Sequence, residues 1–146
     1  MQSLETLRNL ATLDRELIEQ HLRTYISARA RADLDALLKC LSPAISITIV
    51  GDPDFHPYAG RYDGFDGVRN LMRRIDVEFI YLESEILDIV IDQDRAVARR
   101  VKLLRQNGTG EIRRLDMCCW ARFDQGLICE IFEYTDTALT AALAAS

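Results

Sequence analysis

Residues 85–134 read EILDIVIDQDRAVARRVKLLRQNGTGEIRRLDMCCWARFDQGLICEIFEY, and this stretch decides the fold. It contains runs rich in Val, Ile, Leu and aromatic residues, and each run ends at a cluster of turn residues. The runs are 86–91, 96–105, 111–123 and 127–134, and the breaks between them are 92–94, 107–110 and 124–126. Segments of this composition, separated by such breaks, are typical of consecutive antiparallel strands. The stretch therefore predicts a four-stranded antiparallel meander.

The chain before the meander is mostly helical, because its apolar residues recur at helical spacing. The predicted elements are a helix over 2–30, or two helices with a break near 12–14, then a short helix over 34–41, strands over 44–50 and 58–62, a helix over 68–75 and a final helix over 137–143. Asp33, Asp66 and Asp136 are placed to cap three of these helices. We expect an α+β fold whose helices cover one face of a strongly curved antiparallel sheet.

The bulk composition is that of one globular domain. The chain has 146 residues, of which 49% are hydrophobic and 28% charged, and its net charge is −5. This charge argues against nucleic-acid binding, which needs a basic field. Neither a signal peptide nor an apolar run of roughly 18 residues is visible, so we expect no membrane contact and a cytoplasmic location. We divide the chain into a helical extension, 1–13, and a domain, 14–146.

The cysteine and histidine spacing predicts neither a metal site nor a cofactor. No CxxC motif occurs, and neither histidine lies at ligand spacing from a cysteine. The residues in question are Cys40, Cys118, Cys119, Cys129, His21 and His56. We expect reduced thiols, mostly buried.

The turns of the meander predict which side chains share a face of the sheet, because side chains alternate along a strand. The predicted neighbours are Ala98 with Cys119, Arg100 with Met117, Lys102 with Leu115, Met117 with Glu133, and Cys119 with Ile131. One face then carries Ala98, Arg100, Lys102, Met117, Cys119, Ile131, Glu133 and Thr135. The opposite face carries Val97, Val101, Leu103, Cys118, Trp120, Phe132 and Tyr134. We predict a homodimer that pairs through the Trp120, Phe132 and Tyr134 face.

Three charged residues fall together on the first face. Arg100 and Glu133 lie in one row across the sheet, and Lys102 lies one step along. Because unpaired buried charges are costly, Arg100 and Glu133 should pair if this face is the inner one. Two interpretations remain open: a salt bridge that only holds the cavity open, or a polar catalytic or binding cluster. A register error would instead place all three residues on the surface.

Several segments resemble the nuclear transport factor 2-like superfamily over about 14–143. They are Tyr25 with Asp33-Leu34-Asp35, the run GRYDGFDGV at 60–68, GLI at 126–128 and EYTD at 133–136. Within that superfamily the chain is similar to the SnoaL-like branch, which is related to ketosteroid isomerases and limonene-epoxide hydrolases. The resemblance implies a cone-shaped cystatin-like roll, a pocket for a small, partly hydrophobic molecule, and dimerisation through the outer sheet face.

The resemblance also assigns expected roles to single residues. The epoxide-hydrolase pattern Arg-x-Asp reads Arg100-Val101-Lys102 here, with Glu133 as the second acid, and the missing carboxylate argues against epoxide hydrolysis. Tyr25 takes the place of the oxyanion tyrosine of ketosteroid isomerases. The base of those isomerases falls near Thr48 and their second acid near Cys119, so that neither can act as in the family.

His56 lies in the loop by the predicted pocket mouth, and SnoaL-like cyclases often use a histidine there. Both His56 and Tyr25 keep a structural alternative: an exposed or packed loop residue, and a core aromatic on an amphipathic helix. The predicted catalytic residues are Glu133, Arg100, Tyr25 and Lys102. The predicted ligand-binding residues are Thr48, His56, Met117, Cys119 and Ile131.

Three functions are consistent with this site. The first is a cofactor-free acid/base isomerase, cyclase or hydrolase. The second is a non-catalytic binder of a small molecule, for which a net positive pocket would suit a carboxylate-bearing ligand. The third is a dimeric scaffold in which the pocket is incidental.

Overall fold

The computed structural model describes residues 3–144, with the backbone alone for residues 9–13. The elements are α1 (Leu4–Ala30), α2 (Leu34–Lys39), β1 (Leu41–Ile49), β2 (Gly60–Asp63), α3 (Gly64–Glu78), β3 (Phe79–Asp92), β4 (Arg95–Gln106), β5 (Ile112–Asp124), β6 (Leu127–Thr135) and α4 (Thr137–Ala144). The predicted α+β class is confirmed, and the predicted meander forms β3 to β6.

The six strands form one curved, open sheet in the order β2-β1-β6-β5-β4-β3. Every neighbouring pair is antiparallel except β1 and β6, which run parallel. This parallel pair departs from the purely antiparallel sheet that the sequence predicts. Bulges interrupt β3 between Tyr81 and Glu83 and between Ile86 and Asp88. Bulges bend a strand and increase its twist, which helps the sheet to curve around the helices.

The predicted register holds on one hairpin and is wrong on the next. Between β4 and β5, Ala98, Arg100 and Lys102 face their predicted partners. Between β5 and β6, Cys119 faces Glu133 rather than Ile131. The turn holds two residues rather than three, since Asp124 pairs with Leu127, and a bulge beside Arg122 adds one more step. The two steps sum to two residues, so each side chain keeps its predicted face.

Helix boundaries differ from the sequence prediction in two places. The helix predicted over 34–41 ends at Lys39, because Leu41 already begins β1. The third helix begins at Gly64, so Asp66 lies in its first turn and Asp63 occupies the N-cap. The other two predicted caps are confirmed: Asp33 accepts a hydrogen bond from the Ala36 amide at 3.1 Å, and Asp136 accepts one from the Leu139 amide at 3.0 Å.

Helix α1 runs from Leu4 to Ala30 without a break, which favours the single-helix prediction. Its N-terminal part leaves Leu4 and Leu7 exposed to solvent. Residues 1 and 2 and the side chains of 9–13, on which part of the predicted extension falls, lie outside the described residues. The division at residue 13 stays a prediction. None of the described helices is long and apolar enough to cross a membrane.

The core lies between the helices and the inner face of the sheet. Leu22 of α1 and Leu71 of α3 are fully buried against this face, as are Ile128 and Ile131 of β6. Burial of these side chains is the main stabilising contribution to the fold. The same face, toward its open end, carries the polar residues described next.

Candidate functional site

A cavity of about 80 Å³ opens between the helices and the inner face of the sheet. Eight helices and strands contribute side chains to its wall, as does the loop after β1. The lining residues are Tyr25, Arg29, Ile47, Ile49, His56, Tyr58, Leu71, Met72, Ile75, Phe79, Tyr81, Arg100, Lys102, Leu104, Leu115, Met117, Glu133, Thr135, Thr140 and Leu143. The cavity is therefore apolar over most of its wall, with a concentrated set of ionisable groups.

Arg100 and Glu133 form a buried ion pair in the wall of the cavity. Their side chains come from β4 and β6, and the Arg100 Nη2 atom lies 3.4 Å from Glu133 Oε1. Arg100 is 1% exposed and Glu133 is 6% exposed. The pair is incompletely satisfied, since Arg100 Nε and Nη1 and Glu133 Oε2 are buried without a hydrogen-bond partner. The predicted contact forms, although Arg100 reaches Glu133 diagonally past Cys119.

Lys102 lies one inward position along β4 from Arg100. Its Nζ donates a hydrogen bond of 2.6 Å to the Tyr81 hydroxyl of β3. The Arg29 guanidinium of α1 lies 4.7 Å from the centroid of the same ring and pairs with Asp76 at 2.7 Å. Burial lowers the pKa of Lys102. Burial would raise the pKa of Tyr81, but the charges of Lys102 and Arg29 outweigh it and lower that pKa below its usual value.

Tyr25 reaches the cavity from α1, one turn before Arg29, because residues four apart share a helix face. The side chain is fully buried. Burial raises the pKa of the Tyr25 hydroxyl well above its usual value, and the nearby Glu133 carboxylate raises it further. The hydroxyl therefore stays protonated and can donate a hydrogen bond.

His56 is buried against the cavity although it lies in a loop. The loop turns on Asp52, whose backbone carbonyl accepts a hydrogen bond of 2.8 Å from the His56 amide. The Tyr58 amide donates to His56 Nδ1 at 3.1 Å, which places the ring proton on Nε2. That Nε2 is buried and has no partner. Burial lowers the pKa of His56, so that the ring is neutral at pH 7 and can donate a hydrogen bond from Nε2.

A glycine makes room for this histidine. A Cβ at Gly51 would lie 3.1 Å from His56 Cδ2, closer than most such contacts. Arg74 of α3 holds the other end of the loop, because its Nη2 donates to the Pro57 carbonyl at 3.1 Å. The packed alternative for His56 is thus correct in part, since the ring is both packed and part of the cavity wall.

Three predicted ligand-binding residues do not line the cavity. Thr48 faces away from it, because β1 turns Ile47 and Ile49 inward and leaves Thr48 beside Phe132 on the outer side. Cys119 and Ile131 lie on the inner face but are fully buried in the core. Burial raises the pKa of the Cys119 thiol well above its usual value, as does the neighbouring Glu133. Of the five, His56 and Met117 reach the cavity.

The sequence prediction missed Arg29 and Tyr81, whereas Tyr58 lines the cavity near its predicted mouth. Arg29 had a usable signal, since it lies four residues after Tyr25 on the same helix. Tyr81 had none, because simple alternation counted from Ile86 places it on the outer face. The bulge between Tyr81 and Glu83 reverses that alternation and turns the phenol inward.

The unsatisfied polar groups are concentrated at this one cavity. Within residues 3–144, each buried side-chain nitrogen or oxygen without a hydrogen-bond partner belongs to a residue of its wall. These atoms are Arg29 Nη2, His56 Nε2, Tyr58 OH, Arg100 Nε, Arg100 Nη1, Glu133 Oε2 and Thr135 Oγ1. Buried polar groups are normally paired, so this set marks a place where a ligand or ordered water belongs. Among the described residues, no three His, Cys, Asp or Glu side chains converge as metal ligands.

Solved structures with the same fold carry different functional descriptions. An NTF2-like protein from Burkholderia thailandensis is 26% identical, with a TM-score of 0.75 over 88% of this chain and 97% of that one. An LEH-like epoxide hydrolase from M. tuberculosis is 18% identical, with a TM-score of 0.68 over 90% and 98%. A putative polyketide cyclase from Xanthomonas campestris is 18% identical, with a TM-score of 0.72 over 88% and 97%. At 18% identity, the similarity to the last two structures shows the fold alone.

A comparison with curated proteins finds no match. A family model does match: residues 22–131 fit the model of the SnoaL-like domain. This range includes most of the chain and holds Tyr25, His56, Arg100 and Lys102. Together with the nuclear transport factor 2-like fold of the solved structures, the match confirms the resemblance noted in the sequence. The chain belongs to the SnoaL-like domain family.

Proposed function

We propose that this protein is a cofactor-independent acid/base enzyme that moves a proton on a small, partly apolar carbonyl compound. The observation that supports this most is the clustering of unpaired buried polar atoms around one apolar cavity. These atoms include one carboxylate oxygen and several donors, which is the combination that proton abstraction beside a carbonyl requires.

Glu133 is the base in this proposal. Arg100 holds one carboxylate oxygen at 3.4 Å and leaves Oε2 without a partner. A substrate C–H bond placed next to Oε2 loses its proton there, and the electron pair moves to the carbonyl oxygen. The proton then returns to the same molecule at another position. The net reaction is an isomerisation, or the proton transfer assists a cyclisation.

Tyr25 and His56 stabilise the developing oxyanion. Both side chains are neutral donors at pH 7, because burial raises the pKa of the Tyr25 hydroxyl and lowers the pKa of the His56 ring. Preorganised neutral donors in a site that excludes water are effective at this task. Removal of one such donor typically reduces kcat by about 10²–10³.

Two related reactions fit this site less well. Epoxide hydrolysis needs one carboxylate to activate water and a second acid to protonate the oxygen. Among the described residues, Glu133 is the one buried carboxylate of the cavity, and Lys102 stands where the first acid, the Asp of the Arg-x-Asp pattern, would be. Ketosteroid isomerisation lacks its base, since Thr48 faces outward. The cavity of about 80 Å³ is also small for a polycyclic molecule.

The experiment does not require that the substrate be known. Small aldehydes, ketones and keto acids are incubated with the protein in D₂O, and the loss of α-C–H signals is followed by ¹H NMR. We expect exchange that Glu133→Gln reduces by about 10²–10⁴, because proton transfer by a placed base contributes that much.

Glu130→Gln is the matched control, since Glu130 lies on the same strand, outside the cavity, beside Arg122. It should leave the exchange rate unchanged. Equal exchange rates in wild-type and Glu133→Gln protein would contradict the assignment of the base. Exchange on no compound, with binding of one of them retained, would favour the non-catalytic binder.

We also propose that two copies pair through the outer face of the sheet. Trp120 and Phe132 pack edge to face there, with ring centroids 5.5 Å apart, and Tyr134 is 50% exposed. Aromatic residues of this kind are enriched where subunits meet. The oligomeric state in solution tests this proposal.

A further inference from the structure

We propose that the cavity takes a short aliphatic carboxylic acid, of about two to four carbons, with its carboxylate held by Lys102 and Arg100. This inference rests on the proposed function, because a keto acid of this length carries both the carboxylate that is bound and the carbonyl group that the proposed reaction needs. It follows from the charge balance, the partners of Lys102, the cavity wall and the cavity size.

The cavity holds more positive than negative charge. Arg29, Arg100 and Lys102 are 4%, 1% and 7% exposed, whereas Glu133 is the one carboxylate among the buried residues of the described chain. Asp76, at the edge, pairs with Arg29. Three cations thus face two acids, and a buried charge without a counter-charge is costly. One small anion would balance the site.

Lys102 is the cation that lacks an acid. Its Nζ contacts the Tyr81 hydroxyl at 2.6 Å and lies 4.1 Å from that ring's centroid, and neither contact brings a carboxylate. Burial lowers the pKa of Lys102, and the charges of Arg100 and Arg29 lower it further. Arg100 adds two unused donors, Nε and Nη1. A carboxylate is the group that accepts from a lysine and an arginine at once.

The rest of the cavity suits a short hydrocarbon chain. Ile47, Ile49, Leu71 and Leu115 form its wall beyond the charged groups. A cavity of about 150 Å³ admits benzene, so one of about 80 Å³ takes fewer heavy atoms than a six-membered ring with substituents. These dimensions favour an acid such as acetate, propionate or butyrate over an aromatic or polycyclic compound.

A carboxylate at Lys102 also places the chain near the proposed base. Lys102 lies two residues from Arg100 on β4, which is about 7 Å along a strand. Arg100 in turn holds Glu133. The carbons two or three bonds from the bound carboxylate therefore lie on the side of Glu133.

The test compares each acid with its neutral amide. Wild-type protein is titrated with propionate, butyrate, propionamide and butyramide at pH 7 and fixed ionic strength, with calorimetry as the readout. We expect the acid to bind about tenfold or more tightly than the amide of the same length, because charge-assisted hydrogen bonds are the stronger kind. Equal affinity for acid and amide, or no binding of any acid, would overturn the inference.

Lys102→Met should reduce the affinity for the acid at least tenfold and leave the affinity for the amide within about twofold. Lys39→Met is the matched control, since Lys39 is the only other lysine in the chain and lies exposed on α2. An unchanged acid affinity in folded Lys102→Met protein would overturn the inference. If Lys102→Met does not fold, ¹³C-lysine labelling of wild-type protein replaces it. The acid should then shift the Lys102 signal and not the Lys39 signal, and the reverse result would overturn the inference.

Competition by inorganic anions distinguishes an organic-acid site from a bare anion site. Binding to a Glu133 variant distinguishes the ligand class from the catalytic activity. Sodium phosphate and sodium chloride should compete with propionate about tenfold less well than butyrate does, and equal competition would overturn the inference in favour of a bare anion site. Glu133→Gln should bind propionate at least as tightly as wild type, because it removes a negative charge. Absence of proton exchange in wild-type protein, with acid binding retained, would refute the proposed enzyme and leave the ligand class standing.

Discussion

Each face of strands β4 to β6 carries some residues that an ordinary sheet would place on the other face. The inner face, which the helices cover, carries the charged residues Arg100, Lys102 and Glu133 among its apolar residues. The outer face carries the aromatic residues Trp120 and Phe132 beside exposed charged residues such as Arg99. In most half-buried sheets the apolar residues face the core and the polar residues face water.

This contrast separates the apolar inner residues, whose burial stabilises the fold, from the charged inner residues and the aromatic outer residues, whose positions stability alone does not explain. Charges inside cost free energy unless they are paired, and both Arg100 and Glu133 keep buried polar atoms without a partner. Large aromatic residues outside would gain free energy by burial against another surface. This contrast is consistent with the two proposals made above, a ligand in the cavity and a second subunit on the outer face.

The largest expected effect comes from a change on one face only. Arg100→Met should reduce the free energy of unfolding by about 3–5 kcal/mol, because it leaves the buried Glu133 carboxylate without its partner. Arg99→Met, at the next residue and on the opposite, exposed face, should stay within about 0.5 kcal/mol of wild type. Urea denaturation of both variants measures this. Similar losses of unfolding free energy from both substitutions would mean that a charge on the inner face contributes no more to stability than a charge on the outer face.

A smaller effect is expected on the outer face. Trp120→Ala should weaken self-association by about 2 kcal/mol or more, as the truncation of a buried aromatic residue at an interface typically does. Val77→Ala, at an exposed position of α3 away from the sheet, serves as the control and should change the association constant little. Analytical ultracentrifugation across a concentration series gives both constants. A wild-type protein that stays monomeric at high concentration would contradict pairing through this face.

The smallest effect is a pH dependence from Lys102 on the inner face. The pKa of Lys102 in the folded state lies below its ordinary value of 10.5, owing first to burial, with Arg100 and Arg29 acting in the same direction and Tyr81 against it. The unfolded state therefore binds more protons than the folded state just below that pH. Lys102 should therefore make the ligand-free protein more stable as pH rises through this window, by at most about 1.4 kcal/mol per pH unit for one proton. Tyr81, whose pKa is also lowered, contributes with the same sign. Tyr25 and Cys119, whose pKa values are raised by burial, contribute with the opposite sign, so the Lys102 contribution is measured as a difference between variants.

Denaturation of Lys102→Met and Lys39→Met protein between pH 8 and 11 separates the two lysines. Stability should rise less, or fall more, with pH in the first variant than in the second, because only the first removes the Lys102 contribution. Equal slopes in the two variants would contradict a lowered pKa of Lys102.

The sequence predicts the sheet well because its signals there are local. Turn residues and alternation place Arg100, Lys102 and Glu133 on one face, and the structure agrees. The β5–β6 register error came from a two-residue turn and a bulge, neither of which hydrophobic patterning encodes. The predicted faces are still correct because the two one-residue shifts add up to two residues, which is the repeat of side-chain alternation.

The cavity wall was harder to predict, since it depends on whether each strand turns its odd-numbered or its even-numbered residues inward. Thr48 was assigned by position in a related family, but β1 turns its odd-numbered residues inward. Tyr81 enters through a bulge, and His56 enters through a loop whose course depends on contacts with Gly51 and Arg74. These are tertiary features, and single-sequence periodicity carries no record of them.

A crystal structure of the protein soaked in propionate shows directly whether the cavity binds a short acid. We expect density in the cavity, with a carboxylate in hydrogen-bond contact with Lys102 Nζ and a free Arg100 nitrogen, and with the carbon chain beside Glu133 Oε2. An empty or side-chain-filled cavity, with both terminal nitrogens of Arg100 bound to Glu133, would contradict this expectation.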